Sequence, residues 1–360
     1  MEMKLSTSVT EEQDFCQNKG VWVISSLDTV LTPTAIALGN FDGVHRGHQQ
    51  VIQPVLQGSG SGLERIQKTV VTFHPHPQEF FTGHSRQLLT PLDEKVLQLQ
   101  QMGIDQLVLL PFDRELANLT PEQFVEQILI QQLQARQISV GVDFRFGHQR
   151  SGTAQDLQAI AARFGVEVTI VSLQTCQGER ISSSNIRAAL HQGDLRQANR
   201  LLGRSYSLTG TVVPGQKLGR TLGFPTANLK LPPEKFLPRK GVYCVKVWIA
   251  SQDPPANSTP ETTPLIRDPA ELLPWLPGVM NLGCRPTVDG TQLVTEVHLL
   301  DWSRDLYGQT LIVYLEEFLR PEQKFGSLTE LKEQIQADCE TARTILMASN
   351  SGDGFVRSSP

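Results

Sequence analysis

Cysteine is scarce in this 360-residue sequence: Cys16, Cys176, Cys244, Cys284 and Cys339 are scattered and never form C-x-x-C. An odd number without that spacing suggests neither a disulfide framework nor a zinc ribbon, and fits a reducing compartment. Long apolar runs are missing too. No uncharged stretch approaches the ~20 residues that span a bilayer, and the start, MEMKLSTSVTEEQDF, has no apolar segment behind a basic one. A cytoplasmic protein without a membrane partner is therefore expected. Dense Lys/Arg segments are also lacking, and the formal net charge is -5. That argues against a general nucleic-acid binder, because phosphate backbones are met by basic faces, while leaving small anions as candidate ligands. No internal repeat is evident.

What the sequence does contain is alternation. TAIALG, KTVVTF, DQLVLLPF, ISVGVDF and VEVTIVSL read as strands, separated by LDEKVLQLQQMG, TPEQFVEQILIQQLQA and GTAQDLQAIAARFG with helical spacing of apolar residues. This pattern predicts a parallel sheet with crossover helices, an open α/β domain over residues 34–202. After LRQANRLLGRSYS the texture changes, and GVYCVKVWIA, GVMNLG, LVTEVHLLD and TLIVYLEEFL follow one another without intervening helices. They predict a second domain over residues 203–348, a small antiparallel β-barrel closed by the amphipathic helix in SLTELKEQIQADCETARTILMA. Residues 1–33 read as an N-terminal extension, about 251–277 as a Pro-rich insertion between strands, and 349–360 as a flexible tail. Two domains suit this length, since domains cluster around roughly 100–200 residues.

In AIALGNFDGVHRGHQQV (35–51), His45 and His48 sit three residues apart. Metal binding, buried packing and phosphate handling are the three uses to weigh. Zinc sites usually take three or four ligands, and no further Cys/His cluster lies close in sequence. The pair stands instead where a strand turns through Gly39, Gly43 and Gly47 into a helix, and open α/β sheets bind ligands at the carboxyl ends of their strands. Glycines let the backbone approach a ligand, and free N–H groups at a helix start attract anions. Both imidazoles could then donate to one phosphate chain and stabilise charge growing on a leaving pyrophosphate.

This strand, glycine turn, His-x-Gly-His, helix arrangement resembles the nucleotidyltransferase superfamily, in which a nucleoside triphosphate is attacked at its α-phosphate. TFHPHPQEFF (72–81), GVDFRFGHQRSG (141–152) and ISSSNIRAAL (181–190) sharpen that likeness. They resemble, in order and spacing, the motifs of the FAD synthetase module of the prokaryotic bifunctional riboflavin kinase/FMN adenylyltransferase family. The resemblance implies ATP binding by Gly39, Asn40, Phe41, Gly47, His48, Ser182, Ser183 and Arg187, with Arg187 clamping the β/γ-phosphates. It also implies an FMN site at Pro75, His76, Pro77, Asp143, Phe144, Arg145 and Phe146, and catalysis by His45, His48 and Arg187. Blander readings stand beside these: the prolines rigidify a loop, the serines cap a helix, and Phe144 and Phe146 are core. Ser184 occupies a position that is threonine in the family and keeps the hydroxyl.

GTVVPGQKLGRTLGFPTANLKL (210–231) matches neither the Walker nor the dinucleotide fingerprint. It resembles the riboflavin kinase signature, centred on Gly-Phe-Pro-Thr-Ala-Asn. The likeness implies a kinase ATP site at Lys217, Gly219, Arg220, Gly223, Pro225, Thr226 and Asn228. Thr226 and Asn228 would hold Mg2+, since hydroxyl and amide oxygens suit a hard cation. A plain turn explains the glycines and prolines but not the basic pair Lys217 and Arg220. In TEVHLLDWSRDLYGQTLIVYLEEFLRPEQKF (295–325), the resemblance makes Glu296 the base that takes the proton of the riboflavin 5'-hydroxyl, while His298 reads as structural. Flavin contacts are implied for Asn281, Arg285, Arg304 and Leu306, of which Asn281 and Arg285 also suit ordinary turns.

The expectation is a bifunctional enzyme using ATP and Mg2+, with riboflavin, FMN and FAD as its other ligands. FMN would be made in the barrel and adenylylated to FAD in the α/β domain. A kinase with a degenerate N-terminal domain is disfavoured because both histidines, Gly47 and Arg187 are present. A non-catalytic flavin-binding module would have no use for Glu296 or the His-x-Gly-His turn. Oligomeric state is not legible in the sequence.

Overall fold

The computed structural model describes residues 20–57, 65–215, 218–250, 275–287 and 290–352. The five expected strands are present as β2 (Thr34–Leu38), β3 (Gln67–His74), β4 (Gln106–Pro111), β5 (Ala135–Gly141) and β8 (Glu167–Val171). They pair in parallel in a six-stranded sheet of order β1-β4-β3-β2-β5-β8. All five residues of β2 are buried, as a central strand covered on both faces requires. The sixth strand, β1 (Trp22–Ile24), lies ahead of Thr34 and pairs in parallel with β4 at the sheet edge. The side chain of buried Gln106 anchors the following segment, accepting from Leu31 N–H at 3.1 Å and donating to Leu31 O at 2.8 Å. Three residues with only Ile24 buried carry too weak an apolar pattern to read beforehand.

Crossover helices follow the strands: α1 (Arg46–Gln57), α2 (Pro77–Thr82), α3 (Leu92–Gln101), α4 (Arg114–Asn118) and α5 (Pro121–Gln123). From α5 the chain winds with i→i+5 bonding through Phe124–Gln132, a π-helical stretch that places Phe124, Val125, Ile128 and Leu129 in the core. Two small hairpins, β6 (Arg145–Phe146) with β7 (Gly152–Thr153) and β9 (Thr175–Cys176) with β10 (Glu179–Arg180), flank α6 (Ala154–Ala162) and β8. Helices α7 (Ser183–Gln192) and α8 (Leu195–Leu202) then lead out of the sheet.

The second unit is a closed antiparallel barrel: β11 (Tyr206–Val213), β12 (Ala227–Lys230), β13 (Gly241–Ala250), β14 (Leu276–Thr287), β15 (Gly290–Leu299) and β16 (Thr310–Arg320). Its order, β11-β12-β15-β14-β13-β16, leaves no free strand edge. A five-residue helix, α9 (Leu218–Leu222), interrupts the run between β11 and β12. The expected terminal helix, α10 (Leu328–Gly352), packs Cys339, Ala342 and Leu346 against Val242, Cys244 and Val279. Most of the Pro-rich segment lies outside the described residues.

The units share apolar packing. Ile186, Leu190, Leu195 and Leu202 of α7 and α8 belong to one buried cluster with Leu208, Tyr243, Met280 and Leu315 of the barrel. Backbone bonds from Leu88 N–H to Glu234 O (2.6 Å) and from Phe236 N–H to Leu88 O (2.8 Å) add a second seam. Beside it Lys235 and Glu94 form a buried ion pair at 2.5 Å.

Candidate active sites

At the end of β2 the backbone turns sharply, with Phe41 at φ 47°, Gly43 at 93° and Val44 at 40°. Left-handed values in Phe and Val are costly and need surrounding contacts to hold them. Thr90 Oγ1 accepts from Gly43 N–H at 2.9 Å, and the Asp42 carboxylate accepts from Leu89 N–H at 2.8 Å. The turn delivers His45 to the start of α1 and His48 into its first turn. Their rings stack, with centroids 3.6 Å apart and planes 13° from parallel, and Phe41 meets His48 edge-on. A Cβ on Gly47 would crowd the His45 ring at 3.2 Å, so any side chain there would press on the stacked pair.

His45 Nδ1 accepts from His48 N–H at 3.2 Å, so the neutral His45 ring carries its proton on Nε2. Burial pulls the His45 pKa down to about 4. His48 is also lowered well below its usual value, by burial first and then by His45, Lys95 and Arg204; its Nδ1 is buried without a partner among the described residues. At neutral pH the pair is therefore uncharged, two imidazoles whose environment disfavours protonation until negative charge arrives. Among the described residues no three His, Cys, Asp or Glu side chains gather as a metal site.

The serine run docks onto this turn. Ser182 caps α7 by accepting from Asn185 N–H at 3.2 Å, and Ser183 Oγ donates to Asp42 O at 2.8 Å. Arg187 stands in the second turn of α7, where it forms an ion pair with Asp42, donates to Gln87 O at 3.0 Å and lies over the Phe236 ring at 5.6 Å. Asn40 O accepts from Thr72 Oγ1 at 3.1 Å and from Lys95 Nζ at 3.3 Å. Asp42, Lys95 and Arg204 escaped the sequence reading, because their partners are remote in the chain.

At the end of β3, His76 caps α2, its Nδ1 accepting from Gln78 N–H at 3.1 Å, while Nε2 lies 3.3 Å from Arg86. Pro75 and Pro77 flank it. Phe73, Phe80, Phe81 and Phe112 form an edge-to-face group with centroids 5.3 to 5.8 Å apart, and Phe81 is 70% exposed. Aromatics ending two neighbouring strand segments, TFHPHPQEFF and DQLVLLPF, were the overlooked signal. Across the sheet, Asp143 pairs with Arg180 at 2.5 Å, and Arg145 is exposed. Phe144 and Phe146 stack, but Phe146 is buried against Phe124, so its reach toward any ligand runs through the loop it anchors.

In the barrel, Asn228 of β12 is opposite Glu296 of β15, which is opposite Asn281 of β14. Residues in register on neighbouring strands present their side chains to the same face, so this row is one surface. Thr226 directly precedes β12, and a Cβ on Gly215 would land inside the Asn228 amide, so a side chain there would displace that amide from the row. His298 Nδ1 lies 2.8 Å from Pro225 O and its ring meets Phe224 edge-on, which holds the Phe-Pro-Thr segment against β15. Gly219 O accepts from Phe224 N–H at 2.8 Å, and Gly223 N–H donates to Arg220 O at 3.3 Å. Arg304 lies over Trp302 at 5.8 Å, and Leu306 packs against the barrel core. Lys217 and the side chain of Arg285 lie outside the described residues.

Residues 28–185 match the family model for FAD synthetase, and residues 202–346 match that for riboflavin kinase. An Escherichia coli (strain K12) protein named bifunctional riboflavin kinase/FMN adenylyltransferase is 42% identical over 311 residues, 86% of this chain and 91% of that one. A protein of the same name from Haemophilus influenzae is 37% identical over 321 residues, 89% of this chain and 96% of the other. A solved structure from Streptococcus pneumoniae, titled a macrolide-efflux protein, superposes with a TM-score of 0.75 at 30% identity, covering 90% of this chain and 98% of its own. No helix among the described residues here is long and apolar enough to cross a membrane.

Proposed function

This chain belongs to the bifunctional riboflavin kinase/FMN adenylyltransferase family, and from that premise we propose how its two sites divide the work. The enzyme phosphorylates riboflavin with ATP to give FMN, then adenylylates FMN with ATP to give FAD and pyrophosphate. The two nucleophiles differ. FMN attacks through a phosphate oxygen that is already ionised, whereas the riboflavin 5'-hydroxyl must lose a proton.

The observation that carries the assignment is where a carboxylate stands in register with phosphate-binding groups. In the barrel, Glu296 lies opposite Asn228 and Asn281, positioned to take the hydroxyl proton as attack on the γ-phosphate proceeds. At the sheet turn, the Asp42 carboxylate is already taken up by Arg187 and the Leu89 and Thr90 amides. There, His45, His48 and the amides of the turn would bind ATP and stabilise charge growing on the departing pyrophosphate. Arg187, released from Asp42, would clamp the β/γ-phosphates, with Ser182 and Ser183 setting the start of α7. Phe81, exposed beside Phe80 and Phe112, offers a flat apolar surface to the flavin ring next to Pro75, His76 and Pro77. The Asp143 to Phe146 loop would close the opposite side.

The hydroxyl of Thr226, the amide oxygen of Asn228 and the neighbouring Glu296 form a hard-oxygen donor set that fits Mg2+. When bound with ATP, the ion would neutralise phosphate charge; the chain's own part is to hold those oxygens and the Glu296 carboxylate on one face. We place the enzyme in the cytoplasm, where ATP is made and where thiols such as buried Cys244 and Cys339 remain free. The adenylyltransferase part is assigned to residues 34–202 and the kinase part to 203–348.

Two variants test this division, each assayed with separated substrates and chromatography of the flavin products. His48→Ala should reduce FAD formation from FMN at least 100-fold and leave FMN formation within about two-fold. Glu296→Ala should do the reverse. Either variant stopping both reactions while folded refutes the division.

A further inference from the structure

Arg204 stands two residues before β11, inside the stretch matched by the riboflavin kinase model and outside that matched by FAD synthetase. Its guanidinium nevertheless reaches across the seam into the sheet turn. Nη2 donates to Gly43 O at 2.7 Å and Nη1 to Val44 O at 3.2 Å. These carbonyls immediately precede His45. Val44 is the β-branched residue at φ 40°, a costly conformation that persists only where surrounding contacts impose it. Gln49 Nε2 adds a bond to Val44 O at 3.1 Å, and lies 3.4 Å from Leu202 O at the same seam.

A guanidinium that served only to join two units would be expected to meet a carboxylate. Among the described residues Arg204 makes no ion pair, and its Nε is buried with no acceptor. The largest carboxylate influence comes from Glu94, which is already bonded to Lys235 and Thr209 N–H. Burial lowers the Arg204 pKa to about 10, which still leaves it charged at neutral pH. Glu94, Tyr206 and Tyr314 face it from the seam, and its charge also reaches His45 and His48.

We infer that Arg204 is a positioning residue for adenylyl transfer: a guanidinium carried by the barrel end of the chain locks the Gly43 and Val44 carbonyls so that the turn's amides and imidazoles face the triphosphate. Its charge, left without a paired carboxylate, adds to the positive potential behind the anion site. The adenylyltransferase turn therefore depends on a residue outside its own unit. This rests on the assignment of the His45–His48 turn as the ATP site for FAD formation.

The test uses the full chain carrying Arg204→Met, Arg204→Lys or His48→Ala, with both reactions measured separately and folding followed by circular dichroism. Arg204→Met should lower kcat for FAD formation 10- to 100-fold, the scale of a misplaced reacting geometry, with riboflavin phosphorylation within about two-fold. Arg204→Lys should lie between wild type and Met, since one ammonium restores charge but not the two-pronged bond. Added guanidinium ion should recover part of the Arg204→Met rate, which a purely structural role would not allow. Unchanged FAD formation in both Arg204 variants, or equal loss of both reactions, overturns the inference. If His48→Ala itself keeps FAD formation, the site assignment has failed; if His48→Ala loses it and the Arg204 variants do not, only the role of Arg204 falls.

Discussion

At His45 burial and chemistry pull in one direction. Its ring is 5% exposed, and burial sets its pKa at about 4 against an ordinary value near 6.5. Between those values the unfolded chain binds a proton that the folded one does not. Stability from this group is complete above about pH 6.5 and is lost as pH falls toward 4, a difference worth about 3 kcal/mol. The His48 pKa is lowered as well, so its contribution has the same sign. The urea midpoint should therefore fall between pH 7 and pH 5, and His45→Asn should fall less steeply over that range. Parallel slopes for the two proteins would show that the buried ring is not the group responsible. The histidines themselves were legible, since motif, glycines and helix start lie within a dozen residues. Asp42 sits in the same stretch, but its partner Arg187 is 145 residues away, and no local pattern announces that pairing.

At the scale of elements, α3 illustrates how a periodic segment conceals its most consequential residue. LDEKVLQLQQ has the apolar spacing of a surface helix: Leu99 is buried three residues after Val96 on that face, whereas Leu97, on another face, packs with Ile312 of the barrel. Glu94 and Lys95 are buried too, against the usual preference of charged residues for water. Glu94 is satisfied from the barrel side by Lys235 and by Thr209 N–H at 3.2 Å, and Lys235 also donates to Leu89 O at 2.6 Å. Removing one member of such a pair leaves an uncompensated buried charge, at about 3–5 kcal/mol, whereas removing both is much milder. Glu94→Leu should therefore lower stability by that amount in denaturant unfolding, and adding Lys235→Met should restore most of it. A double variant no more stable than the single one would mean the pair is not the coupled unit described. The strands were more readable than this helix because unbroken apolar runs mark a doubly covered parallel sheet. The π-helical winding at Phe124–Gln132 was hidden, since its four buried residues suit either winding.

Across the whole molecule, the shared cluster from Ile186 to Leu315 packs α7 and α8 against the barrel, and the Leu88–Lys235 bridge ties the barrel to the segment ahead of α3. Separating them would expose Leu190, Leu195 and Leu202 together with the seam's buried charges. Calorimetry on the full chain should show one cooperative transition, with FMN-forming and FAD-forming activity lost at the same temperature. Two transitions, each removing one activity, would show that the seam is weaker than its packing indicates.

The sequence alone determined the two architectures, their order and the short motifs, because strand apolarity, helical spacing and phosphate-binding turns are written in neighbouring residues. Only the tertiary structure decided that Trp22–Ile24 joins the sheet, that Glu296 stands between Asn228 and Asn281, and that Arg204 grips the turn before His45. Each of these is set by backbone pairing or side-chain reach between segments distant in the chain, where the energy comes from burial and hydrogen-bond partners that no local pattern specifies.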